Sequence, residues 1–184
     1  MNRLTKPTLV LLALIALGLV RAESLDPASQ AKLDAKIKLV QGWAADAAIV
    51  SAVKAHNATT SPESAAMTQE KWKGASVLDP FVRSFTKNAA AEFLKAKRSE
   101  SLSEAFLSGA DGTKVAFLTK PTNWSHKGKA KHDEPMSGKV WQGAVEVDES
   151  TGQQQVQVGV PVLDGEKPIG SLVVGFSVSK LANE

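Results

Sequence analysis

Two histidines and a run of lysines crowd one short stretch of this chain. His126, Lys127, Lys129, Lys131 and His132 stand within seven residues, followed at once by Asp133 and Glu134. The chain has only three histidines, so two of them in one segment draw attention to it. Converging cations suit a carboxylate or a phosphate, and imidazoles add directional polar contacts that titrate near neutral pH. Trp124 and Trp141 flank the segment. An indole at the rim of a concave site offers flat apolar area and one N–H donor. The competing readings are plain ones: lysines on a solvated loop, and tryptophans that plug a core. Trp43 and Trp72 lie in helical stretches and read as packing.

His126, His132, Asp133 and Glu134 are also metal-ligand types, but the spacing of the two histidines matches no standard zinc motif. The expectation is no metal and no cofactor. Catalytic signatures are weak as well. Gly175-Phe176-Ser177-Val178-Ser179 lacks the second glycine of a nucleophile elbow. Gly165 to Gly170 has phosphate-loop spacing but no lysine after it. Cysteine and tyrosine are both absent, which removes disulfides, thiolate metal sites, cysteine nucleophiles and tyrosine acids.

The segment from 120 to 139 is itself irregular. It holds Pro121, Pro135, Gly128 and Gly138 among its lysines, and reads as a long functional loop with room for a helical turn. Regular elements must hold it from both sides. Upstream the period is helical. Asp26-Pro27 is a start signal, and Leu33, Ile37, Val40, Ala44, Ala47, Ile49, Val50 and Val53 form one apolar face. This predicts one long helix ending near His56-Asn57. Ser61-Pro62 starts a short helix carrying Met67 and Trp72, and Asp79-Pro80 a third with Phe81, Phe85, Ala89 and Phe93 at steps of four.

Around and beyond the loop the period becomes that of strands. Leu102–Leu107 and Lys114–Thr119 flank the turn Gly109-Ala110-Asp111-Gly112. Val140–Asp148 follows the loop, with Trp141, Val145 and Val147 on one face and Asp148 seeding the next turn. Then Val156, Val158, Val160 and Val162 alternate with Gln155, Gln157, Gly159 and Pro161. The valines should face the core and the glutamines the other side. A last strand carries Leu172, Val174, Phe176 and Val178. Helices followed by five strands predict an α+β fold, with helices on an antiparallel sheet.

Export is written at the N-terminus. Arg3 and Lys6 precede the apolar run Leu9–Val20, and Val20-Arg21-Ala22 is a small-residue exit. That layout predicts a secretory signal over residues 1–22 and a single mature domain over 23–184. The run is shorter than the roughly 20 residues that span a membrane. The formal charge of +3 belongs to this segment, because residues 1–22 hold Arg3, Lys6 and Arg21 and no acid. The remainder is balanced, so the basic pI is no footprint for nucleic acid.

The strand region resembles the C-terminal half of Cache-type (PDC, PAS-like) bacterial extracytoplasmic sensor domains. The run from Asp148-Glu149-Ser150-Thr151-Gly152 through Gln155-Val156-Gln157-Val158, Pro161-Val162 and Pro168-Ile169-Gly170 carries the likeness. Ala105-Phe106, Asp111-Gly112 and Val115-Ala116 match the family's first hairpin, and Gly42-Trp43-Ala44-Ala45-Asp46 its N-terminal helix. The resemblance implies a long N-terminal helix and a five-stranded antiparallel PAS-like sheet. It also implies a ligand pocket roofed by residues 120–139. Trp124 keeps the aromatic of the family's loop, while its tyrosine and first acid are missing, so ligand identity does not carry over.

Together these readings predict a periplasmic or secreted, non-catalytic, small-molecule-binding sensor module in free-standing form. The expected site is Trp124, His126, Lys127, His132 and Trp141, with Trp124 in a cavity wall and at least one of the histidines turned inward. The expected ligand is a small molecule, a carboxylate among the candidates. A membrane receptor, or a second copy through the long helix, is the expected protein partner. Two alternatives remain: a metal-dependent hydrolase using residues 126–134, and an interaction module whose pocket is filled by side chains.

Overall fold

The computed structural model describes residues 24–147 and 153–183. The expected leader and the Asp148 turn lie outside the described residues.

Local sequence sets the helix starts. Asp26 caps α1 (Pro27–Ala44) by accepting from the Ala28 and Ser29 amides, with Pro27 at the first helical position. Asp46 caps α2 (Ala47–Ala58) in the same way through the Ala48 amide. The one long helix expected over this region is therefore two. The apolar stripe runs unbroken through Ala44 and Ala47, but Asp46 takes an extended backbone and offers its carboxylate to the next turn. A side chain that competes for backbone N–H groups ends one helix and starts another. Short helices follow: α3 (Pro62–Ala65), α4 (Gln69–Gly74), α5 (Pro80–Ser84) and α6 (Ala89–Ala96). The expected helix from Asp79 is likewise split, because Asn88 caps α6 through the Ala91 amide.

The strands are β1 (Leu102–Gly109), β2 (Lys114–Phe117), β3 (Trp141–Val147), β4 (Gln154–Asp164) and β5 (Lys167–Ser177). They form one antiparallel sheet in the order β2-β1-β5-β4-β3. The helical turn anticipated in the loop is α7 (Ala130–Met136), and α8 (Val178–Ala182) closes the described chain. This is the α+β architecture expected, with five antiparallel strands.

Alternation divides the sheet into two unlike faces. Against α1, α2 and α6 it presents Ala105, Leu107, Val156, Val158, Val160, Val162, Leu172, Val174 and Phe176. These pack with Leu33, Val40, Ile49, Val53 and Leu94 in one aliphatic core. The four valines of β4 are where their alternation puts them. The other face carries Phe106, Ser108, Lys114, Phe117, Ser171, Val173, Gln155 and Gln157, and is covered by α4, α5 and the segment 118–140.

Candidate ligand-binding site

The covered face has an aromatic half and a polar half. In the aromatic half, Trp72 of α4 is fully buried among Phe85, Phe117 and Trp124, with ring centroids 6.1, 5.9 and 5.0 Å away. Trp72 also fixes the loop. Its Nε1 donates to the Pro121 carbonyl (2.8 Å), while Lys120 Nζ donates to the Trp72 carbonyl (2.6 Å) and lies 4.8 Å over the indole. Gln69 holds the same stretch, donating to the Thr122 carbonyl and accepting from the Trp124 amide. Trp124 is thus buried against Trp72 and Phe85.

The polar half lies at the turn end of the β1–β2 hairpin. The tip of that hairpin is a tight turn with Gly112 at φ +79°, and a side chain there would collide with the Lys127 amide at 2.4 Å. The loop therefore runs directly over the turn, with the His126 amide donating to the Gly112 carbonyl (3.0 Å). The His126 ring lands on Phe106, stacked at 4.6 Å. Its Nδ1 meets Lys114 Nζ at 2.7 Å. Lys114 is fully buried, and its ammonium also reaches Ser108 Oγ (3.2 Å) and the Gly112 carbonyl (3.3 Å). From α7, His132 places Nδ1 2.8 Å from Ser171 Oγ, also fully enclosed.

Burial governs the charge states here. Desolvation pulls the Lys114 ammonium down to about 7, against the pull of Asp111 and with a push from Lys131. Burial also holds His126 far below the usual imidazole range, reinforced by the neighbouring Lys114. His132 is lowered by burial, partly offset by the Ala110 carbonyl and Asp133. With Lys114 charged, His126 Nδ1 must accept, which leaves the ring proton on Nε2. Asp111 is committed elsewhere. His56 of α2, at 3.5 Å, and the Thr113 amide and hydroxyl hold its carboxyl well below the ordinary carboxylate range. Among the described residues, Lys114 has no carboxylate within ion-pair distance.

Of the expected site residues, the structure gathers Trp124, His126 and His132 under the loop, with both imidazoles turned inward. Lys127 is exposed, and the cation beneath the loop is Lys114 instead. Trp141 stands apart on the edge strand β3, half-buried, with Lys131 Nζ 5.9 Å from its ring. Lys114, Ser108 and Ser171 are not singled out by the sequence, whereas Trp72 packs in the core as its helical position predicts. The available signal was a lysine inside the apolar strand Lys114–Phe117. Two cavities, of about 220 and 300 Å³, lie away from the loop. One sits at Leu25, Gln142 and Val145, the other where Ala44, Ala45 and Val50 meet Leu163. No three His, Asp or Glu side chains are placed to hold a metal ion among the described residues.

Residues 131–135 close the site by seating α7 on the sheet. A side chain at Gly159 would strike the Lys131 carbonyl at 2.6 Å and Pro135 at 3.2 Å. Lys131 Nζ donates to Gln157 Oε1 on the same strand. Gly128 and Gly138 bracket the helix at φ +82° and +83°.

No protein-family profile and no curated protein matches the sequence. Solved structures do. The ligand-binding domain of the Pseudomonas aeruginosa amino-acid chemoreceptor PctC, in complex with GABA, is 17% identical at a TM-score of 0.50. The match covers 85% of this chain and 58% of that one. The ligand-binding domain of the Pseudomonas fluorescens chemoreceptor CtaA with L-serine is 15% identical (TM-score 0.47), covering 85% and 57%. That of the Campylobacter jejuni chemoreceptor Tlp3 with 4-methylisoleucine is 14% identical (TM-score 0.42), covering 84% and 56%. The chain thus spans under two thirds of each. No described helix is long and apolar enough to cross a membrane. Five antiparallel strands with helices on one face and a loop-and-helix roof on the other give this chain the fold of the Cache-type ligand-binding domains of bacterial chemoreceptors.

Proposed function

We propose that this chain is a periplasmic or secreted sensor-type module. It takes a small organic anion on the loop-covered face of its sheet and does not transform it. The signal segment 1–22 would deliver it, and residues 23–184 would form the single binding domain. The observation that carries this reading is Lys114: a fully buried cation beside Ser108, with His126 and His132 close by, and no carboxylate of the described chain within ion-pair distance. Isolated buried charges are costly, and an anionic ligand would supply the missing counter-charge. Trp124 and Phe106 would provide the apolar wall. A membrane receptor or a second copy of the chain would read the bound state through α1, whose Leu39 is exposed.

The test is a thermal-shift screen of the mature protein with mono- and dicarboxylates, sulfate, amines, neutral amide isosteres and metal ions. A ligand at 100 times its dissociation constant adds about 2.7 kcal/mol. Carboxylates should shift the melting temperature and their amides should not. Trp124→Ala and His126→Ala should then weaken the best ligand. Equal binding by both folded variants would move the site elsewhere. The filled-face interaction module is the second reading, favoured by the close packing of Trp72, Phe85, Phe117 and Trp124. A screen with no shift from any compound selects it.

A further inference from the structure

We infer that the site beneath α7 takes its anion together with a proton, with Lys114 as the group that carries it. This rests on the reading of the covered face as an anion site, and adds how that site responds to pH. The geometry supplies the reason. Lys114 Nζ is enclosed by one hydroxyl, one carbonyl and one imidazole, none of them charged opposite to it. Its surroundings are mostly basic. His126 faces it from the loop, and Lys131, Lys129 and His132 come from α7 and its start. Among the described residues the acids nearby are Asp111 in the β1–β2 turn, which acts on Lys114 but is held by His56 and Thr113, and Asp133 of α7, which acts on His132.

In the empty protein the ammonium therefore loses its proton near neutrality. A carboxylate or sulfate beside Nζ favours the charged form, because an opposite charge in a dry site acts strongly. Linkage makes the effect reciprocal: if the anion raises the proton affinity of Lys114, protonation raises the affinity for the anion. Above neutral pH, each bound anion must bring a proton from solvent to the amine, giving an ammonium–carboxylate pair. The helix over this site is α7. It rests on the sheet through Lys131–Gln157, His132–Ser171 and the Gly159 seat, and turns at Gly128 and Gly138.

The experiment is titration calorimetry with pyruvate and with sulfate, whose own charges stay constant between pH 6 and pH 9. It is run in pairs of buffers with different ionisation enthalpies. The expected result is uptake of about one proton per anion at pH 8 and clearly less at pH 6. Affinity should fall about tenfold per pH unit above neutrality. Lys114→Arg keeps the charge and does not titrate, so its affinity should be flat over that range. The buffer-pair measurement on the unaltered protein stands even if that variant misfolds. Anion binding at pH 8 without proton uptake overturns this inference and leaves the anion site intact. Failure of both anions to bind at every pH overturns the anion site, and this inference with it.

Discussion

The two faces of one sheet follow different rules. On the helix side, every inward position of β4 is a valine, and the facing helices supply Leu33, Val40, Ile49 and Val53. Among the described residues that side buries no charged side chain, and any aliphatic side chain of similar volume would serve. On the loop side the same strands carry Lys114, Ser108, Ser171, Gln155 and Gln157. Each polar group there has a specific partner: His126 for Lys114, His132 for Ser171, Ser103 for Gln155, Lys131 for Gln157. A buried polar network costs stability unless it is complete. Aliphatic packing fills one face, while the other joins an aromatic cluster to hydrogen-bonded polar groups.

Substitutions one residue apart on β4 should break or sharpen that contrast most strongly. Val158→Asp places an unpaired carboxylate in the aliphatic core and should cost more than about 4 kcal/mol, read as loss of the folded circular-dichroism signal. Gln157→Ala, on the opposite face, should cost only about 1 kcal/mol. Equal effects would deny that the faces differ. Trp124→Ala should cost roughly 3–4 kcal/mol in denaturant melts, because it empties the aromatic half of the covered face. A loss below 1 kcal/mol would show that the loop is not packed there.

Between pH 5 and pH 10 the buried bases of the loop face should set the pH dependence of stability. Lys114 titrates near 7 in the folded protein and at 10.5 in an ordinary setting, so the unfolded chain binds more protons between those values. Stability should rise as pH climbs from 7 towards 10, and Lys114→Met should remove that rise. His126 and His132 are lowered from 6.5 by burial, so stability should fall as pH drops below 6.5. Melting curves from pH 5 to pH 10 test both limbs, and a flat profile would refute the burial of these bases. Gly159→Ala should cost about 1–2 kcal/mol by pushing on Lys131 and Pro135. Its signature should be faster tryptic cutting at Lys127, Lys129 and Lys131. The smallest effect belongs to Lys127→Ala. This residue is exposed, and the change should stay within about 0.5 kcal/mol.

The elements were largely written in the sequence because their causes are local. Asp26-Pro27 is a helix start that its own residues supply, and the alternation of valines with Gln155, Gln157, Gly159 and Pro161 builds a strand with an aliphatic side and a polar side. The helix break at Asp46 was equally local, yet the unbroken apolar stripe hid it. The irregular segment 120–139 was legible as a loop with a helical turn, and the fold turns both of its histidines inward. The buried lysine beside them was not legible. Lys127 sits in the loop and Lys114 in an apolar strand, so the loop's own lysine draws attention in the sequence while the fold sets Lys114 against His126. Only the folded chain lays His126 over Gly112 and brings it against Lys114. The partner of a buried charge depends on which strands pair and which loop covers them. Contacts between distant residues settle that, and no local pattern encodes them.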